Sequence, residues 1–276
     1  MARDYLHELL EAYWFAPPVA LWRAIELRAA SEACRDAKRP LLDLGCGDGL
    51  IGQILFSGSH RIDVGLDPWV DQLRQASASE AYHHVDQADG HALPYTEASF
   101  ATVFSNSVLE HVVDLEPVLA EVGRVLRPGG LFIFTVPSDA FRRLLDGHAR
   151  RMAAGDPEGA EAYARRVDER LEHHHYHTPE AWQALLSRAG FTLLRTTYYM
   201  PEPAERFWDR MNARYAIGEP VSAWRLLASP RLRPLGYQRI LRRLVVKHLG
   251  ARWRPYYEMD VQAGEKGGGL LVVAQR

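Results

Sequence analysis

Residues 41–50 read Leu-Leu-Asp-Leu-Gly-Cys-Gly-Asp-Gly-Leu: two leucines, an acid and a third leucine run into glycines at 45, 47 and 49. An apolar stretch, Ile51 to Phe56, follows. The pattern predicts a buried strand, a sharp turn and a helix N-terminus, the opening unit of a doubly wound α/β fold. Glycine meets the turn's demand for positive φ, and its missing side chain lets a ligand lie against the backbone. The N–H groups at the helix start suit a carboxylate or phosphate.

Working outward, Ile62 to Leu66 is a second short apolar run ending at Asp67, 24 residues after Asp43. A carboxylate at the end of a second strand offers two oxygens to the hydroxyls of a ribose. A helix is expected over Trp69 to Ser77 and a third strand over Tyr82 to Gln87, with one of His83 and His84 facing the core. Asp89-Gly90-His91 then makes a turn. Ser99 to Ser105 reads as a fourth strand, Leu115 to Leu126 as a helix stopped by Arg127-Pro128-Gly129-Gly130, and Leu131 to Val136 as a fifth strand. Upstream, Asp4 to Phe15 and Val19 to Cys34 have helical spacing, broken by Pro17-Pro18. Beyond the fifth strand, residues 139–177 are polar and read as an inserted helical pair. Thr178-Pro179-Glu180 opens a helix with an N-cap and a proline at its first position. Phe191 to Tyr199 is a sixth strand, residues 201–262 a second insertion, and Gly269 to Gln275 the last strand. Insertions after strands five and six fall at the carboxyl edge of such a sheet, where ligands bind, and are expected to build a substrate pocket.

The spacing Asp43-x-Gly45-x-Gly47-x-Gly49 resembles motif I of the class I S-adenosylmethionine (SAM) methyltransferases. "SNSVLEH" at 105–111 and "RVLRPGGLFIFTVPS" at 124–138 resemble the type 11 methyltransferase domain. The resemblance covers 41–138 and resumes over 175–191; it departs at Ala101, where the family usually has an acid. It implies an α/β, doubly wound, Rossmann-like seven-stranded sheet, mostly parallel with the last strand antiparallel, plus helical lid insertions. The whole chain, 1–276, is then expected to be one domain: N-terminal helices (1–39), a SAM-binding core (40–138), a helical insertion (139–177), a basic lid insertion (201–262) and a last strand (263–276). Implied cofactor contacts are Asp43, Gly45, Cys46, Gly47 and Gly49 in the turn, Asp67 and Pro68 at the ribose, and Asp89, Gly90 and His91 at the adenine. Ser105, Asn106 and Ser107 after the fourth strand complete the set. Tyr13 and Trp14 are candidates for a lid over the cofactor, with packing of an N-terminal helix as the alternative.

At 276 residues, with 47% hydrophobic and 25% charged residues, the composition is that of an ordinary globular protein. No stretch approaches the roughly 20 apolar residues of a membrane span, and the opening residues read as no signal peptide. A cytoplasmic protein is expected. Two cysteines, Cys34 and Cys46, make neither a disulfide framework nor a zinc site by themselves. The net charge of −2 hides an asymmetry: residues 220–276 carry eleven Lys/Arg against three Asp/Glu. From 220 to 257 there is no acid, and Leu235 to Leu249 projects Tyr237, Ile240, Leu241, Leu244, Val245 and Leu249 onto one helical face. Arg239, Arg242, Arg243 and Lys247 fall on the other. Such a helix can touch a membrane surface, receive an anionic or lipid-linked substrate, or be an ordinary lid. Nucleic acid is disfavoured, because aromatics do not interleave with the arginines.

Methyl transfer is an in-line displacement, so the protein aligns the reactants and removes a proton where one must leave. Candidates for the base are His111, His175 and His177, with Tyr176 near the sulfonium. His111 leads, because it follows the fourth strand by a few residues. The run His173 to His177 invites a metal. Its rings alternate along an extended segment, however, and only Glu172 adjoins them, so no metal is expected. A nicotinamide oxidoreductase is an alternative, but its glycines are spaced two then three. A SAM-binding scaffold without catalysis would keep the same turn. SAM, with S-adenosylhomocysteine as product, is the expected cofactor, and a small molecule methylated at oxygen the expected acceptor.

Overall fold

The structure, a computed structural model, describes residues 3–57, 61–215, 223–227 and 229–276. Part of the expected basic insertion, 216–222 and 228, lies outside the described residues. In chain order the elements are α1 (Tyr5–Ala12), α2 (Pro17–Ala33), β1 (Leu41–Leu44), α3 (Leu50–Phe56), β2 (Ile62–Asp67), α4 (Val70–Ala78) and β3 (Tyr82–Gln87). There follow β4 (Phe100–Asn106), α5 (Leu115–Val125), β5 (Leu126–Pro137), α6 (Phe141–Leu144), α7 (Asp146–Ala153), α8 (Pro157–Leu171) and α9 (Pro179–Arg188). The remainder is β6 (Thr192–Tyr199), α10 (Glu202–Tyr215), α11 (Ala223–Leu227), α12 (Gln238–Tyr257) and β7 (Gly269–Gln275).

These elements form two compact units. One holds residues 29–139, 172–197 and 269–276; the other holds 1–28, 140–171 and 198–268. In the first, the strands run β3-β2-β1-β4-β5-β7-β6. β1 pairs in parallel with β2 and β4, and β7 pairs antiparallel with β5. This is the sheet that the glycine turn and its resemblance imply. Buried Leu42, Val103, Phe104, Phe132 and Ile133 come from its middle strands. Phe134 meets the Trp182 ring edge-on at 4.9 Å.

In the helical unit, Trp22 is ringed by Phe141, Tyr199 and Trp208 at 4.9–6.3 Å between centroids. The Tyr199 hydroxyl donates to buried Glu26 at 2.9 Å. α1 and α12 pack together, and Arg254 pairs with Asp4, the α1 N-cap, at 2.5 Å.

Several expectations need correction. Pro17 and Pro18 begin α2 instead of lying in a break, because the first turn of a helix needs no intrahelical N–H donors. The helical pair of 139–177 is three helices, separated by extended Leu145 and by Gly155 at φ +76° ahead of Pro157. β5 starts five residues early: Leu126 pairs with Phe100 and Leu131 with Thr102, so residues 127–130 bulge out between them, with Gly129 left-handed. His83 and His84 are both exposed, since β3 is an edge strand. The predicted apolar face of α12 is divided: Val245 is buried and Leu241 and Leu249 half-buried, whereas Ile240 and Leu244 are exposed.

Candidate active site

The site grows from the β1–α3 turn. Gly45, Gly47 and Gly49 all have positive φ (76°, 55° and 81°), the region in which a side chain is strained. A Cβ built at Gly47 meets nothing within 4 Å, so the turn presents open backbone there. Asp67, buried at the end of β2, accepts the Gly47 N–H on one carboxylate oxygen and the Trp69 N–H on the other, both at 2.9 Å. A carboxylate has about four lone-pair positions, so both oxygens keep acceptor capacity. Pro68, beside it, is exposed and its carbonyl accepts from Gln87 at 3.1 Å. Cys46 is buried in the turn, and burial pushes its thiol pKa up, which makes it inert at neutral pH.

Asp43 lies beneath this surface. Its buried carboxyl accepts the Tyr82 hydroxyl at 2.7 Å, and burial pushes its pKa up to about 7 against the opposing effect of that hydrogen bond. Asp89, exposed after β3, accepts the His91 backbone N–H at 2.9 Å and also bonds the His91 ring; these hold its carboxyl below the usual range. Gly90 sits 3.4 Å from Val118 by its would-be Cβ. At the end of β4, the Ser105 hydroxyl donates to Leu44 O at 3.0 Å and Asn106 donates to the Thr135 hydroxyl at 2.5 Å. Ser107 turns left-handed at φ 50° and donates its N–H to Thr135 O. Turn, Asp67, Asp89 and the β4 end thus share the sheet unit, each at the carboxyl end of a parallel strand.

The histidines gather from two segments, the loop after β4 and the connection between α8 and α9. His111 is exposed and its Nδ1 donates to Glu172 O at 3.0 Å. His175 Nε2 bonds Val112 O at 2.7 Å, and its ring stacks on His177 at 5.1 Å. Burial and the neighbouring His175 lower the pKa of His177, so it stays neutral at neutral pH. Tyr176 places its hydroxyl 3.1 Å from His173 Nδ1. Tyr13 and Trp14 belong to the helical unit, where both rings meet Phe15 edge-on at 6.1 and 6.3 Å.

The helical unit also buries polar side chains along α10. Glu205, Trp208, Asp209 and Asn212 all face inward from α10. Asp209 accepts from Gly147 N–H and Tyr163 hydroxyl at 2.9 and 2.7 Å, whereas neither Glu205 oxygen has a hydrogen-bond partner among the described residues. Burial and Asp209 hold Glu205 well above the usual carboxylate range. Their i, i+3, i+4, i+7 spacing was the available signal.

Comparison with known proteins bears on the fold and the family likeness. Residues 42–134 match the family model described as "Methyltransferase domain". A probable S-adenosylmethionine-dependent methyltransferase of Mycolicibacterium smegmatis is 32% identical over 130 residues, 46% of this chain and 47% of that protein. A ubiquinone biosynthesis O-methyltransferase of Methylobacterium nodulans is 28% identical over 71% of this chain and 77% of its own. The chain spans about half the length, or less, of the first curated relatives it matches. A crystal structure of a SAM-dependent methyltransferase, possible histamine N-methyltransferase, from Thermotoga maritima superposes with a TM-score of 0.54 at 14% identity, covering 98% of this chain and 99% of that one. At that identity the likeness is one of fold. Family match, sheet order and glycine turn agree: residues 42–134 are similar to a methyltransferase domain and lie in the sheet that the class I, S-adenosylmethionine-dependent resemblance implies.

Proposed function

We propose that the protein transfers a methyl group from SAM to an oxygen of a small-molecule acceptor. The observation that carries this reading is the open backbone at Gly47, set beside a carboxylate at the end of β2. SAM supplies an electrophilic methyl group on a sulfonium. On this reading Gly45, Cys46, Gly47 and Gly49 hold its amino-acid end. Asp67 and Pro68 take the ribose, and Asp89, Gly90 and His91 the adenine, while Ser105, Asn106 and Ser107 form the floor. Asp43 supports the turn from below through Tyr82. The acceptor's proton passes to a histidine: His111 on the loop after β4, whose Nδ1 bond to Glu172 leaves its lone pair on Nε2, or His175 or His177 on the segment between α8 and α9, with Tyr176 alongside. Oxygen as the acceptor atom draws support from the O-methyltransferases among the relatives.

We take residues 1–276 as one working methyltransferase, with 40–138 as the cofactor core, insertions 139–177 and 201–262 choosing the acceptor, and Tyr13 and Trp14 acting as lid residues. The basic stretch 220–257 inclines that choice toward anionic or lipid-linked molecules. Calorimetry tests the core of the reading: SAM and S-adenosylhomocysteine bind and NAD does not. Gly47→Val abolishes binding, and Asp67→Ala weakens it by about 1.5–3 kcal/mol, the scale for hydrogen bonds to a charged group. Binding of NAD without SAM overturns it.

A further inference from the structure

We propose that Glu110, His111 and His173 hold a divalent transition-metal ion. In the sequence the histidine run has only Glu172 beside it, but the fold supplies a different acid. His174 N–H donates to Glu110 O at 2.8 Å and His175 Nε2 bonds Val112 O at 2.7 Å, and these ties lay the run against the loop after β4. The His111 and His173 rings come to 5.4 Å between centroids. One donor atom from each of Glu110, His111 and His173 lies within 4.8 Å of the other two.

The surroundings have the character of an outer shell. A metal-bound imidazole commonly gives its second nitrogen to a carbonyl, carboxylate or other oxygen, which fixes tautomer and ring orientation. His111 Nδ1 donates to Glu172 O, placing the lone pair on Nε2, and His173 Nδ1 faces the Tyr176 hydroxyl at 3.1 Å. Glu110 is buried, His173 half-buried and His111 exposed, so the group opens to solvent on one side. Two imidazoles and a carboxylate suit zinc and its neighbours better than magnesium, and leave a fourth position for water or another oxygen. Donors at about 2.0–2.2 Å from such an ion stand roughly 3.4 Å apart, so the three side chains draw together by up to about 1.4 Å on binding. The site stands whether or not the transfer reading does. Where both hold, His111 serves as a ligand in place of a base.

Titration of the full-length protein, freed of metal by chelation, with Zn²⁺ alone and with Co²⁺ alone tests the site. The expected result is one tight site per chain, and for Co²⁺ the intense visible absorption of a tetrahedral complex. Glu110→Gln and His173→Ala each lower affinity at least tenfold, and His174→Ala, at an exposed position outside the cluster, leaves it unchanged. Circular dichroism checks that each variant folds; should the buried Glu110→Gln fail, His173→Ala decides. Absence of a tight site overturns the proposal. So does binding that His173→Ala leaves intact, or that His174→Ala removes, since the exposed run alone would then be the binder. SAM calorimetry on the same samples separates failure here from failure of the transfer reading.

Discussion

A Cβ at Gly45 would stand 2.4 Å from the Val108 side chain, and one at Gly49 would stand 2.9 Å from the Ala76 backbone and the Tyr82 ring. At Gly47 it would meet only space. The sequence names glycine three times, yet packing demands two of them and the third leaves room for a ligand; only the fold separates the cases. Asp43 shows the same limit. Its position two residues before Gly45 is legible, but its partner Tyr82, 39 residues away, is not. Burial raises the Asp43 pKa to about 7, so the folded state holds its proton more tightly than the unfolded state does. Stability contributed by the protonated form is therefore lost as pH rises from about 4 to about 7 and is level above that. Asp43→Asn keeps an acceptor for Tyr82 and has no proton to lose. Its melting temperature is expected to gain on the wild type through that window and to hold a constant lead above it, as scanning calorimetry at several pH values would record. A difference that does not change with pH contradicts the assignment.

Elements were legible wherever a local pattern was enough. Thr178 caps α9 by accepting the Ala181 N–H at 3.2 Å, with Pro179 at the first position, as the three residues announce. The limits of β5 were not, because a strand that passes through Pro128-Gly129-Gly130 depends on its neighbour β4 to take up the bulge. α12 makes the point most fully. Its buried row runs Val245, Trp253 and Tyr257, with half-buried Leu241 and Leu249, a four-residue spacing that continues past the segment 235–249 read from sequence. Phe207 meets Trp253 at 5.5 Å and stacks on Tyr256 at 4.1 Å, which ties α12 to α10. Trp253→Ala is expected to cost about 3–5 kcal/mol in urea denaturation, the usual range for emptying a buried indole site. Ile240→Ala is expected to stay within about 0.5 kcal/mol, since its side chain is 63% exposed.

At the scale of the molecule, the strands were readable because each announces itself locally, and the sheet they form followed from the resemblance, while assemblies built from distant segments were not readable. Glu110 and His173 lie 63 residues apart, and the inward carboxyls of α10 look like a solvated face until the helical unit closes over them. The surface is likewise a collective property. Among the described residues no helix is long and apolar enough to cross a membrane. The helical unit nevertheless exposes Leu226 and Leu227 on α11 and Ile240 and Leu244 on α12. The Tyr237 hydroxyl and Gln238 side chain bond Leu227 O at 2.5 and 3.3 Å, which ties the end of α11 to the start of α12. Exposed Arg239, Arg243 and Lys247 stand around them. Apolar side chains flanked by cations are the chemistry that settles on an anionic lipid interface, where burial of the first and attraction of the second act together. We expect the protein to sediment with vesicles containing anionic phospholipid at low ionic strength and to be released at high salt, because attraction between exposed charges is screened. Ile240→Asp with Leu244→Asp should abolish sedimentation while the urea midpoint stays near the wild type, since neither side chain is buried. If the protein remains in solution with anionic vesicles at low salt, α12 is a helix packed on its own unit with its arginines in water, and the lipid-linked acceptor loses its support.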